Sequence, residues 1–221
     1  MNTQHFLKNV KKSGILISIL ILSSCIGVHA NISLNANGSG TITLEYRISR
    51  LLESLGKLDG NERWLTVPVG KADFERTVNR IAGMSMVSFS SKDDGKDLYN
   101  QVKLAFSNPE ALLRFLDATG QRASLVQENG KYRLSLTMSA GLEQADPDLM
   151  ALFTTISQGY TVNLSLSVPG EGTLALYNRN GIPLERLPGV QLIPQGKTVS
   201  FTAPLGDLYT FTEGVVMELG W

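Results

Sequence analysis

Cys25 is the only cysteine among 221 residues, and it follows Leu22-Ser23-Ser24. A branched apolar residue, two small residues and a cysteine make up the bacterial lipobox. Only a thiol can take the diacylglycerol thioether before the upstream segment is removed, so this spacing points to lipid attachment at Cys25. The preceding residues fit that chemistry. Lys8, Lys11 and Lys12 form a basic start without an acid, and Gly14 to Leu22 is an apolar run broken only by Ser18. The run is roughly half of the ~20 residues that a bilayer-spanning helix needs. A basic start, a short apolar run and then small residues is the layout of a cleaved export signal. Several acyl chains on one cysteine anchor a protein firmly, where one chain is marginal. Ile26 stands where an aspartate would direct retention at the inner membrane, which tilts the address towards the outer membrane. Val28-His29-Ala30 also reads as a cleavage signal; a cut after Ala30 would make Cys25 an incidental residue of the removed segment.

The rest of the chain is poor in catalytic residue types. Both histidines, His5 and His29, lie at or before the cleavage region. With His29 in the tether or removed, the folded domain is expected to have no imidazole and no thiol, which excludes Ser-His-Asp and Cys-His catalysis, the common zinc sites and a histidine pH switch. Asp93, Asp94 and Asp97 around Gly95 look like a calcium loop, but Ser90 to Gln101 lacks the alternate ligands and the glutamate at the twelfth position. A solvated hairpin turn accounts for them. Glu143, Asp146 and Asp148 read as a loop and a helix cap. Twenty acids with no motif among them single out no glycosidase pair. The serine-rich strands carry no Gly-x-Ser-x-Gly elbow, and no glycine-rich phosphate loop has the required spacing. The expectation is a non-enzymatic protein with no metal and no cofactor.

Charge narrows the partners. Twenty basic residues balance twenty acidic ones, and loss of the three signal lysines leaves 17 against 20, a net −3. Basic residues are scattered singly, so neither nucleic acid nor an anionic membrane surface is expected as a partner of the domain. Its membrane connection is the lipid on Cys25. About 190 residues remain after processing, enough for a core that needs no disulfide.

The elements follow from periodicity. Ile32 and Leu34 lead into the turn Asn35 to Gly40, after which Ile42, Leu44, Tyr46 and Ile48 alternate with Thr41, Thr43, Glu45 and Arg47. Period two around Asn-Gly predicts a hairpin. Helices are expected at 50–58, at 70–82 with Phe74, Val78, Ile81 and Ala82 on one face, and after the Asn108-Pro109-Glu110 cap. A fourth is expected after Asp146-Pro147. Strands are expected at 84–90, 98–107, 122–128 and 131–138, with the last two joined at Asn129-Gly130. Tyr160, Val162, Leu164, Leu166 and Val168 alternate most cleanly, and shorter strands follow at 173–178, 189–193, 197–203 and 214–221. Val215, Met217, Leu219 and Trp221 resemble the closing strand of an outer-membrane barrel, but the expected helices favour an ordinary sheet strand. This is the pattern of an α+β fold: a curved, mostly antiparallel sheet with about four helices packed on it. The expected layout is a signal peptide over 1–24, a lipidated tether over 25–31 and a single envelope domain over 32–221.

Two segments carry a family resemblance. Asn35 to Ile48, with its Asn-Ala-Asn-Gly-Ser-Gly-Thr-Ile-Thr-Leu opening, resembles the first hairpin of the LppM-like bacterial lipoproteins. So does Gly196 to Leu208, which follows a strand ending Val168-Pro169-Gly170. With the lipobox and the order of elements, the match covers about half the chain; no membrane helix follows the C-terminal strand, unlike in that family. The resemblance implies an α+β envelope domain able to enclose a lipid, and it implies no catalytic residue.

Two functions are consistent with these features. In the first, Leu112, Leu116, Leu149, Phe153 and Ile156 on helix faces oppose Val162, Leu164 and Leu166 and enclose a lipid or other apolar ligand. The same residues would serve equally as a closed core. In the second, the domain is a structural or assembly protein that binds an envelope partner through a strand edge or apolar patch. Either way the expected location is the bacterial envelope, with the domain facing the periplasm or the cell surface.

Overall fold

The structure, a computed structural model, describes residues 26–50, 70–117, 120–139, 159–185 and 187–221. Period-two segments become strands with one apolar face. β1 (Ile26–Leu34) and β2 (Gly40–Ser49) form the first hairpin, in register from Ile26 opposite Ile48 to Leu34 opposite Gly40. β3 (Met84–Asp93) and β4 (Asp97–Phe106) form the second, and β5 (Ala123–Glu128) and β6 (Lys131–Ser139) the third. The third turns on Asn129 and Gly130, both at positive φ, 53° and 78°, as a tight hairpin with right-handed twist requires. β7 (Thr161–Tyr177), β8 (Gln191–Ile193), β9 (Gln195–Pro204) and β10 (Val215–Gly220) complete the sheet.

The strand order is β3-β4-β2-β1-β7-β10-β6-β5, with β9 on β7 and β8 on β9. β1 and β7 run parallel, Val28 beside Val162 through Ser33 beside Ser167; the other pairings are antiparallel. β7 joins two halves of the sheet. Its first part lies between β1 and β9, and its second part, Thr173 to Tyr177, pairs with β10. The register breaks between Ser167 and Gly172, where Pro169 cannot donate to a ladder and Gly170 and Gly172 relax the backbone. Proline in a strand belongs at such an irregularity. Sequence reading places a turn and two strands here, whereas the chain makes one long bent strand.

One sheet face makes the core. Ile32, Ile42, Leu104, Leu166, Val199 and Phe201 are almost wholly buried. Val215, Met217 and Leu219 of β10 are buried too, and β10 lies between β6 and β7. It is an interior strand facing the core, so the barrel-closing reading does not apply to it.

The expected fold class is corrected. Strands take 59% of the described residues and helices 14%; the protein is a mainly β structure built on a ten-stranded mixed sheet, not a sheet bearing about four helices. The described helices are short. α1 (Lys71–Val78) buries Phe74 and Val78 and ends four residues before the sequence pattern does. α2 (Pro109–Leu116) starts as expected, with the Asn108 side chain accepting from the Ala111 amide at 2.8 Å. α3 (Leu205–Thr210) was not foreseen. The expected helices at 50–58 and after Asp146 fall outside the described residues. The apolar stripes at Phe74 and Leu112 each need only two turns to cover their part of the sheet. A second correction concerns residues 26–31. They are not a tether: they form the first two-thirds of β1, paired with β2 throughout and with β7 from Val28 on, so His29, expected outside the folded domain, is part of it.

Candidate functional site

Of the residues expected to line a lipid pocket, the five that are described belong to the core or pack against it. Leu112, Leu164 and Leu166 are 1%, 7% and 0% exposed, and Leu116 and Val162 pack against the same cluster partly buried. Leu164 and Leu166 pair with Ala30 and Ile32 on one side and with Phe201 and Val199 on the other. Each is covered by protein, and none lines the open grooves described below. Leu149, Phe153, Ile156 and Cys25 lie outside the described residues.

The opposite, polar face carries the better site. Odd-numbered residues of β1, β2 and β4 point outward because the even-numbered ones fill the core. Strand register then sets a row across four strands: Lys92 is opposite Tyr99, Tyr99 opposite Arg47, and Arg47 opposite Gly27. Gly27 has no side chain to fill the row. Across that gap the Arg47 guanidinium reaches the Tyr160 ring, 4.5 Å from its centroid, a cation–π contact. Arg47 also pairs with Asp97 at 3.7 Å. Desolvation, the largest single influence, works against the Arg47 charge; Tyr160, Asp97 and Tyr99 outweigh it and hold the guanidinium above its ordinary pKa. The result is an open groove of about 500 Å³ floored by Gly27 and walled by Arg47, Tyr99 and Tyr160. His29 and Glu45 lie one outward row further from the strand end, where Glu45 accepts from the Gln101 amide at 2.7 Å.

The acidic turn next to this groove is a turn. The Asp94 carboxylate accepts the Lys96 and Asp97 amides at 2.9 and 2.7 Å. Those backbone bonds, Asp97 first, pull its pKa below the ordinary value. Asp93 is paired with Arg50, and Gly95 takes the left-handed conformation that closes the loop. No three His, Cys, Asp or Glu side chains among the described residues are grouped to hold a metal ion.

Other concavities lie elsewhere among the described residues. One, of about 530 Å³, lies on the outer face of β6, β7 and β10, where Tyr132 and Trp221 stack at 5.5 Å beside Glu218 and Arg133. Another is a smaller apolar cleft between Leu187, Val190, Leu208 and Phe211.

Sequence reasoning missed the Arg47 row. Alternation in β2 does turn Arg47 outward, but Tyr160 reads as the first member of the inward stripe. Only the parallel pairing of β1 with β7, over 130 residues apart in the chain, brings Tyr160 beside Gly27.

No family model matches the chain, and no curated protein matches it. Among solved structures, it is similar to the NMR structure of the LppM folded domain of Mycobacterium tuberculosis, with 16% identity over 88% of each chain and a TM-score of 0.40. That likeness is distant, and nothing about the site follows from it.

Proposed function

We propose that this is a lipid-anchored, non-enzymatic protein of the bacterial envelope, attached through Cys25. One structural relationship favours Cys25 over the cut after Ala30. β1 begins at Ile26, directly after the lipobox cysteine, and is an interior strand held by β2 and β7. A cut after Ala30 would delete five of its nine residues and strip partners from Leu44 to Ile48 and from Val162 to Leu164. Processing at Cys25 leaves the whole strand intact. The direct test is incorporation of labelled palmitate and sequencing of the mature N-terminus. Label in the native protein, lost in Cys25→Ala, is the expected result; a mature chain starting at Asn31 would overturn it.

What the domain binds is a separate matter. The burial of Leu112, Leu164 and Leu166 favours their use as core over an apolar ligand between helices and sheet. The alternative of a structural or assembly protein draws support from the two ends of the main strand path, β3 and β5. Each edge exposes a large apolar side chain, Val87 and Val126, and an edge strand offers unpaired backbone groups to a partner. Lipid extraction and mass spectrometry of natively purified protein separates the two. A stoichiometric lipid selects the ligand reading, and a lipid-free protein that captures one partner selects assembly.

A further inference from the structure

We propose that the sheet end bearing Lys92, Tyr99, Arg47 and Tyr160 docks on the phosphate headgroups of the membrane that holds the anchor. This rests on lipidation at Cys25 and adds the orientation and contact surface of the domain.

The first ground is distance. Cys25 immediately precedes Ile26 in β1, so no linker separates lipid from sheet. At ~3.3 Å per residue the chain can carry Gly27 no more than about 7 Å from Cys25 and His29 no more than about 13 Å. The polar layer outside each side of the hydrocarbon core is roughly 5–8 Å thick. An upright strand anchored at its first residue therefore puts the Gly27 row in the headgroup layer and the Glu45 row just outside it.

The second ground is that the whole sheet end lies at this level. Antiparallel register brings the end of β2 and the start of β4 beside the start of β1, with Ile48 opposite both Ile26 and Leu98. The parallel pair brings the start of β7, and Pro204 at the end of β9 lies opposite Thr161.

The third ground is chemistry. A guanidinium matches phosphate oxygens in a planar fork, and tyrosine is at home at the membrane–water boundary. The row holds two cations and Tyr99, and Tyr160 closes it. Tyr99 is 40% exposed and the Arg47 side chain 37%, so both can reach a headgroup. The described acids of the row and its adjoining turn are engaged within the protein: Asp93 with Arg50, Asp97 with Arg47, and Asp94 with the turn amides. Arg47, Arg50, Lys92 and Lys96 against these three acids leave the described row and turn close to neutral. Docking is then local pairing with phosphates, not attraction by a long-range field, and it does not require anionic lipid.

The test uses full-length, lipidated protein in vesicles of phosphatidylcholine with a trace of phosphatidylethanolamine carrying a photoreactive headgroup. Cross-links should concentrate in peptides containing 45–50, 92–101 and 159–163. They should fall several-fold in Arg47→Glu/Lys92→Glu, with palmitate on Cys25 unchanged. Because Arg47 also neutralises Asp97, Lys92→Glu/Tyr99→Ser is a second variant that spares that pair and should lower cross-linking in the same peptides. Labelling around Tyr132 and Trp221 instead, or labelling unmoved by both variants, would overturn docking while the anchor stands. A protein without palmitate would overturn both.

Discussion

The guanidinium of Arg47 lies 4.5 Å from the centre of the Tyr160 ring, although 112 residues separate the two in the chain. Gly27 leaves the space between them, and Asp97, only 5% exposed, neutralises the guanidinium from the other side. Arg47 is thus shared by an aromatic face and a buried carboxylate. Tyr160→Leu should cost about 0.5–1 kcal/mol, the value of an exposed cation–π contact. Arg47→Ala should cost more, about 1–3 kcal/mol, because it leaves Asp97 buried without its cation. Arg47→Ala combined with Asp97→Asn should be more stable than the sum of the singles predicts. Additive urea melts would show that the pair carries nothing.

The length of β1 sets where the chain can be shortened. A protein starting at Ile26 keeps every strand pairing and should unfold cooperatively. One starting at Asn31, which the sequence pattern alone recommends, loses backbone partners on both sides of β1. Several hydrogen bonds at about 1 kcal/mol each amount to a large part of a typical domain's stability. The Asn31 protein should melt much lower or fail to fold. Equal melting temperatures would mean that Ile26 to Ala30 are dispensable.

Gly40 sits where β2 passes closest to its neighbours. A methyl group there would collide with the Ser33 carbonyl oxygen and the Phe106 ring. Gly40→Ala should cost about 3 kcal/mol, at the upper end for overpacking. Gly170→Ala meets open space and should be within about 0.5 kcal/mol of the native protein. Comparable losses at both glycines, measured by denaturant unfolding, would contradict the packing described for Gly40.

Tyr46 makes stability pH-dependent on the alkaline side. Burial is the main cause that raises its hydroxyl pKa above the ordinary 10.0, against a hydrogen bond from Asn100 that lowers it. The folded chain keeps the proton that the unfolded chain gives up, so this stabilisation is complete below pH 10 and is lost as pH rises beyond it. Stability should therefore fall above pH 10, and Tyr46→Phe should flatten that fall. An unchanged slope in Tyr46→Phe would assign the alkaline loss to other groups.

The acidic turn should be indifferent to metal. Each of Asp93, Asp94 and Asp97 has a partner within the protein, so neither calcium nor EDTA should move the melting temperature. A shift of several degrees would indicate a bound ion.

Much of this fold was legible from local order. Alternation assigned the faces of β2 and β4, Asn129-Gly130 marked the third hairpin, and Asn108-Pro109 started α2, because each is decided by residues within a few positions of one another. The class was not legible. Two-turn apolar stripes at Phe74 and Leu112 look like the starts of longer helices, Pro169-Gly170 looks like a turn instead of the bend within one strand, and α3 has too few residues to show a period.

The site divides in the same way. The lipobox at Cys25 is a linear signal, and reading it needs no fold. An apolar stripe such as Val162, Leu164 and Leu166 is identical in sequence whether protein or ligand covers it. Burial chose the core for Leu164 and Leu166, and that choice exists only after packing. The groove of Arg47, Gly27 and Tyr160 depends on the parallel pairing of β1 and β7. No local pattern encodes that pairing, since it joins strands whose contact is established only when the whole sheet has assembled.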